Sequence, residues 1–235
     1  MINYAHRGAS SYAPENTIAA FDLGLELKAN GIETDIRKTK DEVFVLFHDD
    51  NLKRITGIDG AIEDFTYEEL CAFDFGSFKG PQYKNEKIVK FEDFLRRYGK
   101  QDLSLALEIK GEGIEIEIYQ VVEKEEISNY TITSFDYSKL LNLRKYSETP
   151  RLGFLTDCLS REAVDQLVED EIDEICPRAD LITPRLCDYA HQKGLTIRAW
   201  SVKNYDLMMH CCLCNVDGMT VNFPDLLASH LDGLC

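Results

Sequence analysis

Short apolar runs of strand-forming residues alternate with amphipathic stretches along almost the whole chain. The runs occupy 2–5, 31–36, 103–109, 130–133, 151–155, 173–176, 195–200 and 216–221. Between them, apolar residues recur at helical spacing over 17–29, 114–124, 138–146, 161–169, 184–193 and 205–213. Asn16 is placed to cap the first helix, and Gly194 to end the one before the seventh run. Eight strands in β-α alternation predict α/β architecture, a parallel (β/α)₈ TIM barrel.

A ninth run, 43–48, lies outside that count because only residues 38–42 separate it from the second strand. Parallel neighbours need a crossover of a dozen or more residues, whereas a short polar link joins antiparallel strands. Residues 33–48 are therefore expected to form a β-hairpin at the barrel mouth. A turn centred on Lys40 and Asp41 would put His48 opposite Glu33. Residues 50–100 carry Gly57, Gly60, Gly76, Gly80 and Pro81, with helical signals at 66–73 and 91–98. They read as an insertion of about 50–100 on the face where barrel loops build sites, within a single domain of 1–235.

With 44% apolar residues, 235 positions suffice for a large core. The net charge of −16 argues against nucleic acid and against stable association with an anionic membrane. It also means that an anionic small-molecule substrate could approach only where a cation or basic side chains reverse the field locally. No apolar stretch approaches the roughly 18 residues of a membrane span. The start, Met-Ile-Asn-Tyr-Ala-His, lacks a basic region followed by an apolar one, so no leader is expected. Eight cysteines gathered late in the chain then suggest reduced thiols and a cytoplasmic location. A homo-oligomer stays open.

Glu33 and Asp35 are two apart on a strand, so both side chains point to one face, inside the barrel mouth. Two inward carboxylates repel unless a cation neutralises them or one keeps its proton. Glu108 ends the next barrel strand and completes a three-carboxylate set. Oxygen ligands alone suit Mg²⁺ or Ca²⁺ over Zn²⁺; the plain alternative is a solvated acidic rim. His6 closes the first strand, followed by Arg7, whose planar fork fits phosphate oxygens, and by Gly8, which permits close backbone approach. His48 brings a second imidazole, so the pair could work as acid and base. Lys110 adds a compact positive charge on the side of Glu108. His210-Cys211-Cys212 with Cys214 invites a zinc reading, but a helix turned to the barrel accounts for it better.

The segments His6-Arg7-Gly8-Ala9-Ser10, Ala13-Pro14-Glu15-Asn16-Thr17, Glu33-Thr34-Asp35, Thr39-Lys40-Asp41, His48-Asp49 and Glu108-Ile109-Lys110 occur in that order. Ser134-Phe135-Asp136, Trp200-Ser201-Val202, Asp217-Gly218 and Asn222-Phe223-Pro224 follow. Each fragment is weak alone; the ordered series, over nearly the whole chain, resembles the glycerophosphodiester phosphodiesterase family, in its short cytosolic bacterial form. The resemblance implies hydrolysis of glycerophosphodiesters to sn-glycerol 3-phosphate and an alcohol, a step of glycerol and lipid metabolism. It implies Glu33, Asp35 and Glu108 as ligands of a divalent metal ion, Mg²⁺ or Ca²⁺, and His6 and His48 as the acid–base pair. Arg7 and Lys110 match phosphate-contacting positions, and Glu15 a supporting position beside them. Trp200 is expected to wall the glycerol pocket or simply to pack the barrel. Val89-Lys90-Phe91-Glu92-Asp93 departs from the family's usual Pro-Thr-Leu-Glu-Glu stretch. The expected mechanism is attack by the substrate's own 2-hydroxyl, through a cyclic phosphate. Alternatives are a phospholipase-type enzyme that acts on lysophospholipids or releases the cyclic phosphate, and a barrel that binds phosphate without turnover.

Overall fold

The computed structural model describes residues 1–233. In chain order its strands are β1 (Ile2–His6), β2 (Gly31–Lys38), β3 (Phe44–Leu46), β4 (Ser104–Ile109), β5 (Tyr130–Ser134), β6 (Leu152–Thr156), β7 (Glu174–Pro177), β8 (Thr196–Val202) and β9 (Gly218–Val221). All but β3 pair in parallel and close on themselves, β1 lying between β2 and β9. The result is the eight-stranded barrel. Its helices are α1 (Ile18–Glu26), α2 (Lys53–Thr56), α3 (Tyr67–Cys71), α4 (Phe91–Tyr98), α5 (Glu115–Lys124), α6 (Tyr137–Tyr146), α7 (Arg161–Glu169), α8 (Pro184–Gln192), α9 (Tyr205–Leu213) and α10 (Pro224–Asp232).

Local chemistry sets the helix ends. Gly194 follows α8 with φ +87°, the left-handed stop expected of it. The cap of α1 is one residue later than the sequence suggested: Thr17 is extended and its hydroxyl accepts from the Ala20 N–H. Asn16 cannot serve because it sits at φ +57°, outside the extended region a cap requires. Helix α10 was not expected from periodicity, although Pro224 at its first turn is a start signal.

The hairpin is real, but its register differs by one residue. Ile36 faces Leu46 and Lys38 faces Phe44, so the pairing would bring His48 level with Thr34, not Glu33. The loop holds three residues, Lys40 to Glu42, with Glu42 at φ +63°, and Thr39 N–H donates to the Val43 carbonyl across it. A turn closed by a left-handed residue takes one position more than a two-residue turn, which shifts every pair. Beyond Leu46 the ladder ends, and Phe47 N–H donates to the Asp35 carbonyl.

Two apolar cores flank β3. Phe44 and Leu46 belong to the main core, with Phe91, Phe94 and Tyr98 of α4. Phe21 of α1 packs against Phe94 and Tyr98 at centroid distances of 4.9 and 5.6 Å, so α4 behaves as a barrel helix. Val45 and Phe47 point the other way, into a satellite core with Leu52, Ile55, Ile62 and Leu70.

Candidate active site

The parallel register gathers the acids. His6 lies beside Glu33 across β1–β2, and Asp35 beside Glu108 across β2–β4. Glu33, Asp35 and Glu108 are 3%, 0% and 8% exposed, and each offers an oxygen within 4.8 Å of the others. Backbone N–H of Arg7 donates to Glu33 Oε2 at 3.2 Å, and Asn16 Nδ2 donates to Asp35 Oδ2 at 3.0 Å. The inward turn that disqualifies Asn16 as a cap is what delivers it here. Burial and the neighbouring Asp35 charge push Glu33 up to about 8. Burial and Asp35 push Glu108 up to about 7, against the pull of Lys110. Asp35 goes the other way: burial would raise it, but Arg7 and Lys110 outweigh that and hold it below the usual carboxylate range. Among the described residues Asp35 Oδ1 is buried with no hydrogen-bond partner, the Lys110 ammonium lying 3.5 Å away. An all-oxygen set with an unsatisfied oxygen and two carboxyls reluctant to ionise fits a hard divalent cation.

Both imidazoles face one cavity of about 180 Å³ at this end of the barrel, which Glu33, Glu108, Lys110 and Trp200 also line. His6 Nδ1 lies 2.5 Å from Asn222 Oδ1, so it carries the proton and leaves Nε2 bare, 3.8 Å from Glu33 Oε2. Burial and the Arg7 charge bring His6 down to about 4, so the ring is neutral near pH 7. His48 Nδ1 donates to Asp49 Oδ1 at 2.8 Å, and among the described residues its Nε2 has no hydrogen-bond partner. Arg37, buried on β2, fixes the backbone there by donating to the His48 carbonyl at 3.1 Å while pairing with Asp50.

The basic groups are engaged with acids. Arg7 Nη1 donates to Glu15 at 2.8 Å, and its Nε lies 3.2 Å from Asp35 Oδ2. Lys110 Nζ is 2.5 Å from Glu108 and 3.5 Å from Asp35. Glu15 sits outside the cavity lining, behind Arg7. Trp200 donates to the Thr156 carbonyl at 3.3 Å, and its ring meets Phe135 edge-on at 4.9 Å. Gly8, at φ +83°, approaches backbone as expected, but the backbone is that of α1. A Cβ there would lie 2.4 Å from the Ala20 carbonyl carbon. Cys211 and Cys214 are buried in the main core, and His210 Nε2 bonds to the Ile182 carbonyl. Among the described residues, no cysteine joins a cluster of three metal-ligand types.

A model of the glycerophosphoryl diester phosphodiesterase family matches residues 6–226. The chain belongs to that family. YhdW of Bacillus subtilis (strain 168) is 35% identical over 97% of this chain and 96% of its own. A glycerophosphodiester phosphodiesterase of Caldanaerobacter subterraneus is 31% identical over 95% and 94%. An Oleispira antarctica phosphodiesterase, solved with its product sn-glycerol-3-phosphate, superposes with a TM-score of 0.89 at 25% identity, covering 99% of this chain and 97% of that one. This glycerophosphodiester phosphodiesterase therefore carries the family's barrel and the family's hydrolase activity. Four of its site groups were not identified from the sequence: Asn222 on His6, Arg37 behind His48, Arg54 on Asp49 and Phe135 against Trp200. Asn222 and Phe135 lie inside the ordered motif segments; the two arginines carry no periodic or spacing signal.

Proposed function

We propose that this enzyme hydrolyses glycerophosphodiesters to sn-glycerol 3-phosphate and an alcohol through a cyclic phosphate, with His6 and His48 exchanging the protons. The supporting observation is the pair of imidazoles in one cavity, each with Nδ1 occupied by an oxygen acceptor and Nε2 free, above a buried carboxylate triad. His6 Nε2 takes the proton of the substrate's 2-hydroxyl, whose oxygen then bonds to phosphorus. The bond from phosphorus to the departing alcohol breaks, and His48 Nε2 gives that oxygen its proton. Asp49 faces the ring with a negative charge suited to the doubly protonated form. In the second half, His48 takes a proton from water as the water oxygen bonds to phosphorus, the bond from phosphorus to the 2-oxygen breaks, and His6 returns its proton to that oxygen.

A divalent cation held by Glu33, Asp35 and Glu108 would, when bound, polarise a phosphoryl oxygen and offset developing charge. Lys110 and Arg7 add positive charge for the nonbridging oxygens in an otherwise acidic protein. Trp200 and Phe135 supply an apolar wall for the glycerol moiety. The partner is a small molecule, and no helix among the described residues is long and apolar enough to cross a membrane. We place the enzyme in the cytoplasm.

The test is turnover of a glycerophosphodiester panel, with lysophospholipids included, in Mg²⁺, Ca²⁺ or EDTA, with the phosphorus-containing products identified by phosphorus NMR and the alcohol by mass spectrometry. Activity lost in EDTA and a transient cyclic phosphate that proceeds to sn-glycerol 3-phosphate are expected. A cyclic phosphate that accumulates as final product, or full activity in EDTA, would overturn the proposal.

A further inference from the structure

We infer that Arg54, supplied by the insertion, is a positioning residue that holds Asp49, and through it the His48 ring, in place relative to the carboxylate triad. Its Nε donates to Asp49 Oδ2 at 2.6 Å and its Nη2 to Asp49 Oδ1 at 3.0 Å. On the other side, Nη1 and Nη2 each donate to Glu15 at 2.8 Å. One guanidinium thus grips two carboxylates, a geometry that a lysine cannot reproduce.

These contacts complete a chain of alternating charge. Asp35 meets Arg7, Arg7 meets Glu15, Glu15 meets Arg54, Arg54 meets Asp49, and Asp49 accepts from His48. The chain joins Asp35 on β2 to an imidazole that lies beyond the end of the hairpin ladder, where backbone pairing no longer fixes it. Glu15, His48 and Asp49 lie close enough together to suggest a second ion site. With Arg54 bridging both acids, the cation already resident there is the guanidinium.

The insertion is built to present this group. Leu52 and Ile55, on either side of Arg54 in the sequence, are buried in the satellite core, while the Arg54 side chain keeps 48% exposure at the surface. Its replacement should therefore leave the fold standing. A doubly held carboxylate restrains the imidazole in both position and tautomer, which is what a proton donor at a fixed distance requires.

This inference rests on His48 acting in proton transfer, so the experiment separates the two. Arg54→Gln, Arg54→Lys, Asp49→Asn, Arg54→Gln/Asp49→Asn and His48→Ala are assayed on glycerophosphocholine with saturating divalent metal, with melting temperatures taken alongside. For Arg54→Gln, kcat should fall roughly 10–100-fold with KM changed less than about threefold, and Arg54→Lys should recover part of the loss. In the Asp49→Asn background, Arg54→Gln should cost no more than about threefold, because both changes cut the same link. The Nδ1 proton resonance of His48 should shift or broaden in Arg54→Gln. Unchanged kcat, a loss carried by KM alone, or fully multiplicative losses in the double variant would each overturn the role of Arg54. Near-normal turnover by His48→Ala would instead overturn the reading beneath it.

Discussion

Replacing Glu33 with Gln should make the metal-free protein more stable while abolishing its activity. In the folded chain Glu33 is 3% exposed, and burial beside Asp35 and Glu108 raises it from an ordinary 4.5 to about 8. A carboxyl raised on folding leaves stability intact below its unfolded value and removes it as pH climbs towards the folded value. At pH 8 the cost for such a group alone would be about 4 kcal/mol, and at pH 5 less than about 1 kcal/mol. Glu108 shares the same repulsion, so the relief from changing Glu33 alone should be about 2–4 kcal/mol at pH 8. Gln keeps the shape and an oxygen to accept from the Arg7 N–H. For a chain of this size that relief corresponds to a rise in Tm of roughly 5–15 °C in EDTA at pH 8, shrinking to a degree or two at pH 5. Thermal melts at both pH values, with and without Mg²⁺ or Ca²⁺, give the readout. Metal should stabilise wild type, more at pH 8 than at pH 5, and should leave Glu33→Gln almost unmoved. If Glu33→Gln melts no higher than wild type in EDTA at pH 8, or gains as much from metal, the triad is not the strained cation site described above.

His6→Ala and His48→Ala should each lower kcat by at least about 10²-fold with Tm little changed, since each removes a proton carrier at a partly open cavity; near-wild-type rates in either would refute the assignment. Trp200→Ala should raise KM about tenfold and leave kcat within threefold if the indole walls the substrate pocket. A drop in Tm with unchanged KM would instead mark it as barrel packing. Gly8→Ala should cost about 3 kcal/mol, from a left-handed alanine plus a methyl driven into the α1 backbone, and urea unfolding would measure it. A loss under 1 kcal/mol would mean that α1 shifts freely.

The barrel was legible because each strand announces itself by an apolar run and all but one crossover by helical spacing; the exception is the helix α4, which the sequence reading placed in the insertion of 50–100 and which packs instead in the main core. The carboxylate triad was legible for a related reason: side chains alternate along β2, so residues 33 and 35 share a face without further information. What the sequence concealed was geometry finer than one residue. The hairpin register turned on whether Glu42 would adopt a left-handed backbone, a choice worth little energy locally yet enough to shift every pair. Asn16 looked like a cap because its residue type favours caps, and tertiary contacts with Asp35 and Thr34 claimed it instead. Arg54 and Arg37 escaped notice because long charged side chains usually mean solvent. Only the folded chain reveals which of 26 basic residues meet an acid that matters.

Strand β3 is three residues long and sends its side chains alternately into two separate apolar masses, with His48 two positions beyond it. Phe47, Leu52 and Ile55, which flank the imidazole, its carboxylate and its arginine in sequence, are seated in the smaller mass, whereas the three acids stand on the barrel strands themselves. The two halves of the site thus have separate foundations, and the packing of the smaller mass sets how they meet.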